Sequence, residues 1–347
     1  MMAHDGDQSA SSRVGADALG WGVSGWSATY RDPDEQAECI SSVYSQVYDQ
    51  LSCGPFIGEI ATVDLGGMLV LRERVNRRLL QTGLINALTV SWVWKKSSRY
   101  CSNGIEHDDD CLMFHGAGEE FDILCGPSEM VAVSISEQTL ADWFGCPTAS
   151  MDPGLFRGPK KIRADMTVSF RRAILAALSV ADRESSTMPG SRWRDSLRDE
   201  LLQMVTAVAE LPGLGDRRTR RRERTYARVV RAARDYALQN AAEAGLPDVC
   251  EHIGVSRRNL HYAFASVMGV SPGQYLHYLR LNAARRDIKR RGRAAFGVAD
   301  IASRWGFWHP SHFAANYKRR FGELPSETAH RAASAGKPAR FIPSICI

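Results

Sequence analysis

Arg257, Arg258, His261 and Tyr262 stand together on one side of a segment whose other side is set by Leu260, Phe264 and Val267 at helical spacing. A guanidinium projecting from such a helix can bond guanine O6 and N7 together, so Arg258 leads the candidates for reading a base edge. His261 and Tyr262 can donate to bases or to phosphates. Farther on, Ser311 and His312 can hydrogen-bond, whereas Ala315 offers only apolar contact, for example with a thymine methyl. Weaker base readout is therefore expected from this second set. Arg319 and Arg320, one turn later, are expected to meet phosphate or solvent.

A second dense group of chemically capable side chains is His107, Asp108, Asp109, Asp110, Cys111 and His115. Metal-binding barrels of the cupin type carry two histidines one residue apart and a glutamate soon after. Here the histidines are eight apart, and the three aspartates read as an acidic turn, so no metal or cofactor is expected. No GxSxG, HExxH or phosphate-binding loop occurs, and no catalytic residue is assigned. A metal-dependent enzyme of the cupin type, tethered to DNA by the basic region, is the alternative reading.

The elements that must hold the first group are legible from a duplication. Leu260, Phe264, Gly269 and Pro272 recur as Phe313, Tyr317, Gly322 and Pro325, each at an offset of 53. Upstream, Ile253-Gly254-Val255 matches Trp305-Gly306-Phe307 at an offset of 52, so the second turn is one residue longer. Within the first unit, Val249, Cys250 and Ile253 predict a positioning helix, Gly254 a left-handed turn, and Ser256 the N-cap of the next helix. The second unit reads alike, with Val298, Ile301, Ala302 and Trp305, then Gly306, then Phe313, Tyr317 and Phe321. Gly269 and Gly322 stop the second helix of each unit. Ser271-Pro272 starts a connecting helix, to about Arg291, with Tyr275, Leu276, Leu279 and Ala283 inward. The result is two helix-turn-helix units on one rigid spacer.

Charge supports this independently. From Arg217 onward there are 25 Lys+Arg against 9 Asp+Glu, a net of +16, and the preceding residues carry 19 against 30, a net of −11. The overall +5 thus conceals a dipolar molecule whose basic part is suited to phosphate.

The tract Val298 to Phe307, continuing through His309-Pro310-Ser311-His312-Phe313 to Phe321-Gly322-Glu323-Leu324-Pro325-Ser326, resembles the signature of the AraC/XylS transcriptional regulators. Its Trp-Gly-Phe-Trp-His opening and Gly-Glu-Leu-Pro-Ser-Glu close are most similar to the branch containing the ethanolamine-utilisation regulator. The resemblance runs from Thr225 to Ala333. It implies that each unit lays one recognition helix in the major groove of promoter DNA, and that the protein activates transcription beside RNA polymerase. Two departures stand out: Tyr262 where many relatives carry arginine, and Ala314-Ala315 where polar residues are common.

The rest of the chain is read as an α+β arrangement. Residues 1–30 are expected to be a disordered tail and 31–160 a cupin-like antiparallel β-barrel. A helical pair follows over 161–211, a basic linker over 212–224, the DNA-binding domain over 225–333, and a tail over 334–347. A short helix is expected from Asp32-Pro33-Asp34 to about Gln50. Strand-like segments are Ile57–Val63, Met68–Glu73, Ala87–Trp94, Cys111–Phe114 and Met130–Ile135. Arg72-Glu73-Arg74-Val75-Asn76 most resembles the effector domain of the same branch, which implies a small-metabolite pocket, with an amine or amino alcohol as candidate. Trp92, Trp94, Tyr100, Phe114 and Phe121 could line one, though plain core is the commoner role of such residues. Apolar stripes at Met166, Phe170, Ile174, Leu178 and at Leu197, Leu201, Met204, Val208 either pack on the barrel or pair with another chain as a homodimer. Leu84 to Trp94, the most apolar stretch, is too short to span a bilayer. There is no secretory signal pattern and no CxxC among the eight cysteines, so a cytoplasmic location is expected.

Overall fold

The computed structural model describes residues 24–181 except 107, 109 and 153, together with 190–213, 217–240, 244–291 and 297–334. In chain order the first half contains β1 (Ser24–Tyr30), α1 (Pro33–Cys39), β2 (Tyr44–Gln50), β3 (Gly58–Asp64), β4 (Met68–Val75), β5 (Leu79–Ile85) and β6 (Leu88–Lys96). Next come β7 (Cys101–Ser102), β8 (Ile105–Glu106), β9 (Cys111–His115), β10 (Glu120–Cys125), β11 (Ser128–Ile135), α2 (Glu137–Phe144) and β12 (Gly158–Lys161). Helices then take over: α3 (Ala164–Leu178), α4 (Ser191–Ala209), α5 (Arg217–Gln239), α6 (Leu246–Ile253), α7 (Arg257–Val267), α8 (Pro272–Arg291), α9 (Val298–Arg304), α10 (Pro310–Phe321) and α11 (Pro325–Ser334).

The strands form two antiparallel sheets, one in the order β1-β3-β4-β11-β6-β9-β12 and one in the order β2-β5-β10-β7-β8. Strand alternation divides the larger sheet into two working faces. Along β4, Met68 and Val70 join a core with Val90, Phe114, Phe170, Ile174, Leu197 and Leu201, so both helical stripes are buried on the outer face of this sheet. Leu69, Leu71 and Val75 point the other way and meet Tyr44, Tyr48, Leu79 and Ile123 of the smaller sheet. The outer face of the smaller sheet is apolar as well. Leu51, Leu80, Cys101 and Leu124 pack with Val230, Ala233, Leu260, Phe264 and Tyr275 of the C-terminal helices. Each fully buried aliphatic or aromatic side chain contributes about 1.5 to 3 kcal/mol. The order of layers is therefore α3/α4, large sheet, small sheet, C-terminal helices.

Three expectations change. The helix from Asp32 stops at Cys39, and Tyr44–Gln50 is a strand, because Tyr44, Gln46 and Tyr48 alternate in direction and pair with β5. Residues 24–30 of the expected tail form β1, paired with β3 in the large sheet; residues 1–23 lie outside the described residues. The basic run from Arg217, expected as linker, is the start of α5. Besides β1 and β2, five further strands not expected from sequence, β5, β7, β8, β10 and β12, complete the sheets. Among the described residues no helix is long and apolar enough to cross a membrane.

Candidate nucleic-acid interface and barrel cavity

The first unit is α6, a turn and α7. Gly254 takes φ of 68°, and Ser256 Oγ accepts from the Asn259 backbone N–H at 3.2 Å, which caps α7 as the sequence predicts. The second unit is α9, a turn and α10, with Gly306 at φ 78°. The extra residue of this turn falls between Gly306 and His309, the N-cap position of α10, and the Trp305 indole N–H at the end of α9 donates to Asp287 of α8 at 2.9 Å. Leu281, Ala284 and Ile288 of α8 share a core with Ile301, Phe313, Tyr317 and Phe321, whereas Tyr275, Leu276 and Leu279 pack on the first unit. The connecting helix therefore carries one unit on each half.

Both sets of expected reading residues are on the surface. Arg257, Arg258, His261 and Tyr262 are exposed on α7, opposite the buried Leu260 and Phe264. Arg258 lies over the Tyr262 ring, 5.4 Å from its centroid, and donates to the Tyr262 hydroxyl at 3.1 Å. Ser311, His312 and Ala315 are exposed on α10, opposite Phe313 and Tyr317. Asn259 of α7 and Trp308, which leads into α10 and is 66% exposed, extend these surfaces and were not singled out from sequence. Arg319 is exposed as expected, but Arg320 is not. It is buried, its guanidinium stacks 3.6 Å from the Tyr278 ring centroid, and it donates to the Leu51 carbonyl.

A family described as a helix-turn-helix domain matches residues 249–331. Among curated proteins, the probable thc operon regulatory protein of Rhodococcus erythropolis is 40% identical over 100 residues, covering 28% of this chain and 30% of that protein. The XylDLEGF operon transcriptional activator 3 of Pseudomonas putida is 31% identical over 107 residues, covering 31% of each. The matches thus span less than a third of these relatives' length. Residues 249–331 form a helix-turn-helix domain. The solved AraC-like transcriptional activator CuxR is similar at 14% identity and a TM-score of 0.41, over 75% of this chain and 95% of that one.

The helix-turn-helix domain is bonded to the N-terminal half at several places, three of which involve α5, α8 and α10. Arg231 of α5 donates to Asp122 at 2.7 Å and to Glu120 at 2.8 Å, and Arg234 reaches Asp122 at 3.3 Å. On α8, Arg285 meets Asp32 at 2.9 Å, Lys289 meets Asp32 at 2.8 Å and Arg286 meets Asp49 at 2.8 Å. Beside them the Asn282 amide accepts from the Gln50 N–H at 2.9 Å and donates to the Gln50 carbonyl at 3.0 Å. At the third place Gly54 N–H and the Gln50 side chain both donate to the Arg320 carbonyl, at 3.0 and 2.8 Å. Burial alone would raise the Asp32 carboxyl, but Arg285 and Lys289 outweigh it and hold it well below the usual carboxylate range.

Between the sheets lies a cavity of about 20 Å³, lined by Ile40, Tyr44, Tyr48, Glu73, His115 and Phe121 among others. Glu73 is fully buried on β4, where the Leu69, Leu71, Val75 alternation places apolar groups. Its Oε1 accepts from Tyr48 at 2.6 Å and Gln36 at 2.8 Å, and its Oε2 accepts from Gln81 at 3.0 Å. Burial pushes its carboxyl above the usual range, and the three donors only partly offset this. His115 is also buried, its Nε2 has no hydrogen-bond partner among the described residues, and burial lowers the imidazole to about 4. Of the five aromatics considered for a pocket, Phe121 lines this one, whereas Trp92 packs on Phe170 and Phe114 on Phe156. Among the described residues no group of three His, Cys, Asp or Glu side chains is placed to hold a metal, and His107 and Asp109 lie outside them.

Proposed function

We propose that this chain is a sequence-specific transcriptional regulator, an activator rather than an enzyme, that reads promoter DNA with α7 and α10 and senses a small metabolite in its barrel. One observation carries the reading: two helix-turn-helix units sit on the two halves of α8, each with its polar helix face exposed while the domain is docked on the barrel. Arg257, Arg258, His261 and Tyr262 act on one site, and Ser311, His312 and Ala315 on the next. The names of the relatives, an operon regulatory protein and an operon activator, support this direction. The resemblance of residues 298–326 to the ethanolamine-regulator branch supports an amine or amino alcohol as effector, and the family's habit supports contact with RNA polymerase and a homodimer. Effector binding changes promoter occupancy through unequal affinity for two arrangements of the halves.

The test is selection of binding sites from random duplex DNA by the full chain. Enrichment of a bipartite site with halves about 10 base pairs apart is expected. Binding that is equal on all sequences, together with stoichiometric metal in the purified protein, would support the tethered enzyme instead.

A further inference from the structure

The barrel cavity has the chemistry of one ligand class. A carboxylate offers about four lone-pair sites, and those of Glu73 Oε1 are taken by Tyr48 and Gln36 while Oε2 receives Gln81 alone. One acceptor site is left on Oε2. No lysine or arginine lines the cavity, so this carboxylate has no counter-ion within it. Tyr44, Tyr48 and Phe121 make part of the cavity wall aromatic, a lining compatible with a cation, and His115 Nε2 is a second polar atom without a partner among the described residues. A buried charge without a counter-ion is costly to the protein, and a ligand that supplies one relieves that cost.

We propose that this cavity binds a small ligand carrying an ammonium group, which donates to Glu73 Oε2 and sets a second polar atom against His115 Nε2. This rests on the reading of the barrel as a sensor. A cavity of about 20 Å³ holds little more than one water-sized group, so the body of the ligand must displace a wall. The wall formed by α1 and β2 supplies Ile40, Tyr44 and Tyr48 to the cavity and the Gln36 amide to Glu73, and it supplies Asp32, Asp34, Asp49 and Gln50 to α8 of the helix-turn-helix domain. Occupancy is thereby felt where the two halves are joined.

The experiment uses the full chain and three probes matched in size, ethylamine, ethanol and acetate, in thermal melting at neutral pH. Fragments of three or four heavy atoms bind at roughly millimolar concentrations at best, so titration runs to roughly 50 mM. Ethylamine is expected to raise the melting temperature and the other two to leave it unchanged. In Glu73→Gln, apparent affinity for ethylamine should fall about ten- to a hundredfold, the loss of a charge-assisted bond. No ethylamine shift in the wild type, an equal shift with ethanol or acetate, or an unchanged response in E73Q would overturn the proposal. Ser91 of β6 also lines the cavity. Should E73Q not fold, Ser91→Val adds bulk there on a strand that suits β-branched residues, and an undiminished ethylamine response in that variant is equally fatal. Site selection from random DNA by the same preparations separates the two readings. Sequence-selective binding without an amine response sinks the ligand proposal alone, whereas an amine response without sequence-selective binding sinks the regulator reading alone.

Discussion

Arg258 in the free protein is held against Tyr262, a stance that limits its rotamers before DNA arrives. Arg258→Ala should weaken binding to the selected site by about 1 to 3 kcal/mol and relax preference at one or two base pairs, as a bidentate contact implies. Competition binding checks it, and equal weakening on random DNA would mark a phosphate contact. The α7 face was legible because buried and exposed positions interleave within one helix. Arg320 was not, because the ring that buries it, Tyr278, belongs to a different helix. The trace of Glu73 in the sequence is a charged residue at an inward position of an alternating strand. His115 gives a pH prediction. Its unfolded value is about 6.5 and its folded value about 4, so the unfolded chain takes up more protons between those limits. The contribution is complete above about pH 6.5 and is lost as pH falls toward 4, a loss of roughly 2 kcal/mol between pH 7 and 5. Denaturant unfolding at both values should show this loss, and His115→Asn should reduce it.

At the scale of elements, α8 sets the geometry of recognition. With one unit on each half of a single helix, the two recognition helices should enter successive major grooves on one face of the duplex, about 10 base pairs apart. Footprinting should show two protected patches in helical phase; a lone patch would leave one unit structural. The units have separate cores, one built around Phe264 and the other around Phe313. Phe313→Ala should cost about 3 to 5 kcal/mol and erase the second patch while sparing the first. The glycine stops and serine caps of these units were readable because they are local rules. The strand nature of β2 and the helical nature of Arg217 onward were not, since pairing with β5 and packing of the later turns of α5 on α7 decide them.

For the whole molecule, the acidic barrel and basic domain anticipated from charge meet directly. Arg285→Ala should cost about 3 to 5 kcal/mol in unfolding of the full chain, because it strips a buried partner from Asp32 and Glu323. Asp32 titrates below the unfolded value of about 3.9. Its contribution is therefore intact at pH 5 and disappears only in stronger acid, which separates it from the His115 effect. A fragment over 217–333, starting at α5 because Val230 and Ala233 floor the first unit, should bind DNA alone with steep salt dependence. The amine response should stay with the full chain. Seams between the halves were beyond sequence reading because nothing in spacing links Gln50 to Asn282, 232 positions away. That separation also bears on how the chain is made. The barrel leaves the ribosome long before α8 exists, so Asp32, Asp49 and the apolar Leu51, Leu80 and Leu124 wait in water for partners yet to be synthesised. Contacts this distant along the chain form late and slowly. An interrupted chain ending before Asn282 would present that unfinished surface, half acidic and half greasy, to the chaperones and proteases of the cell.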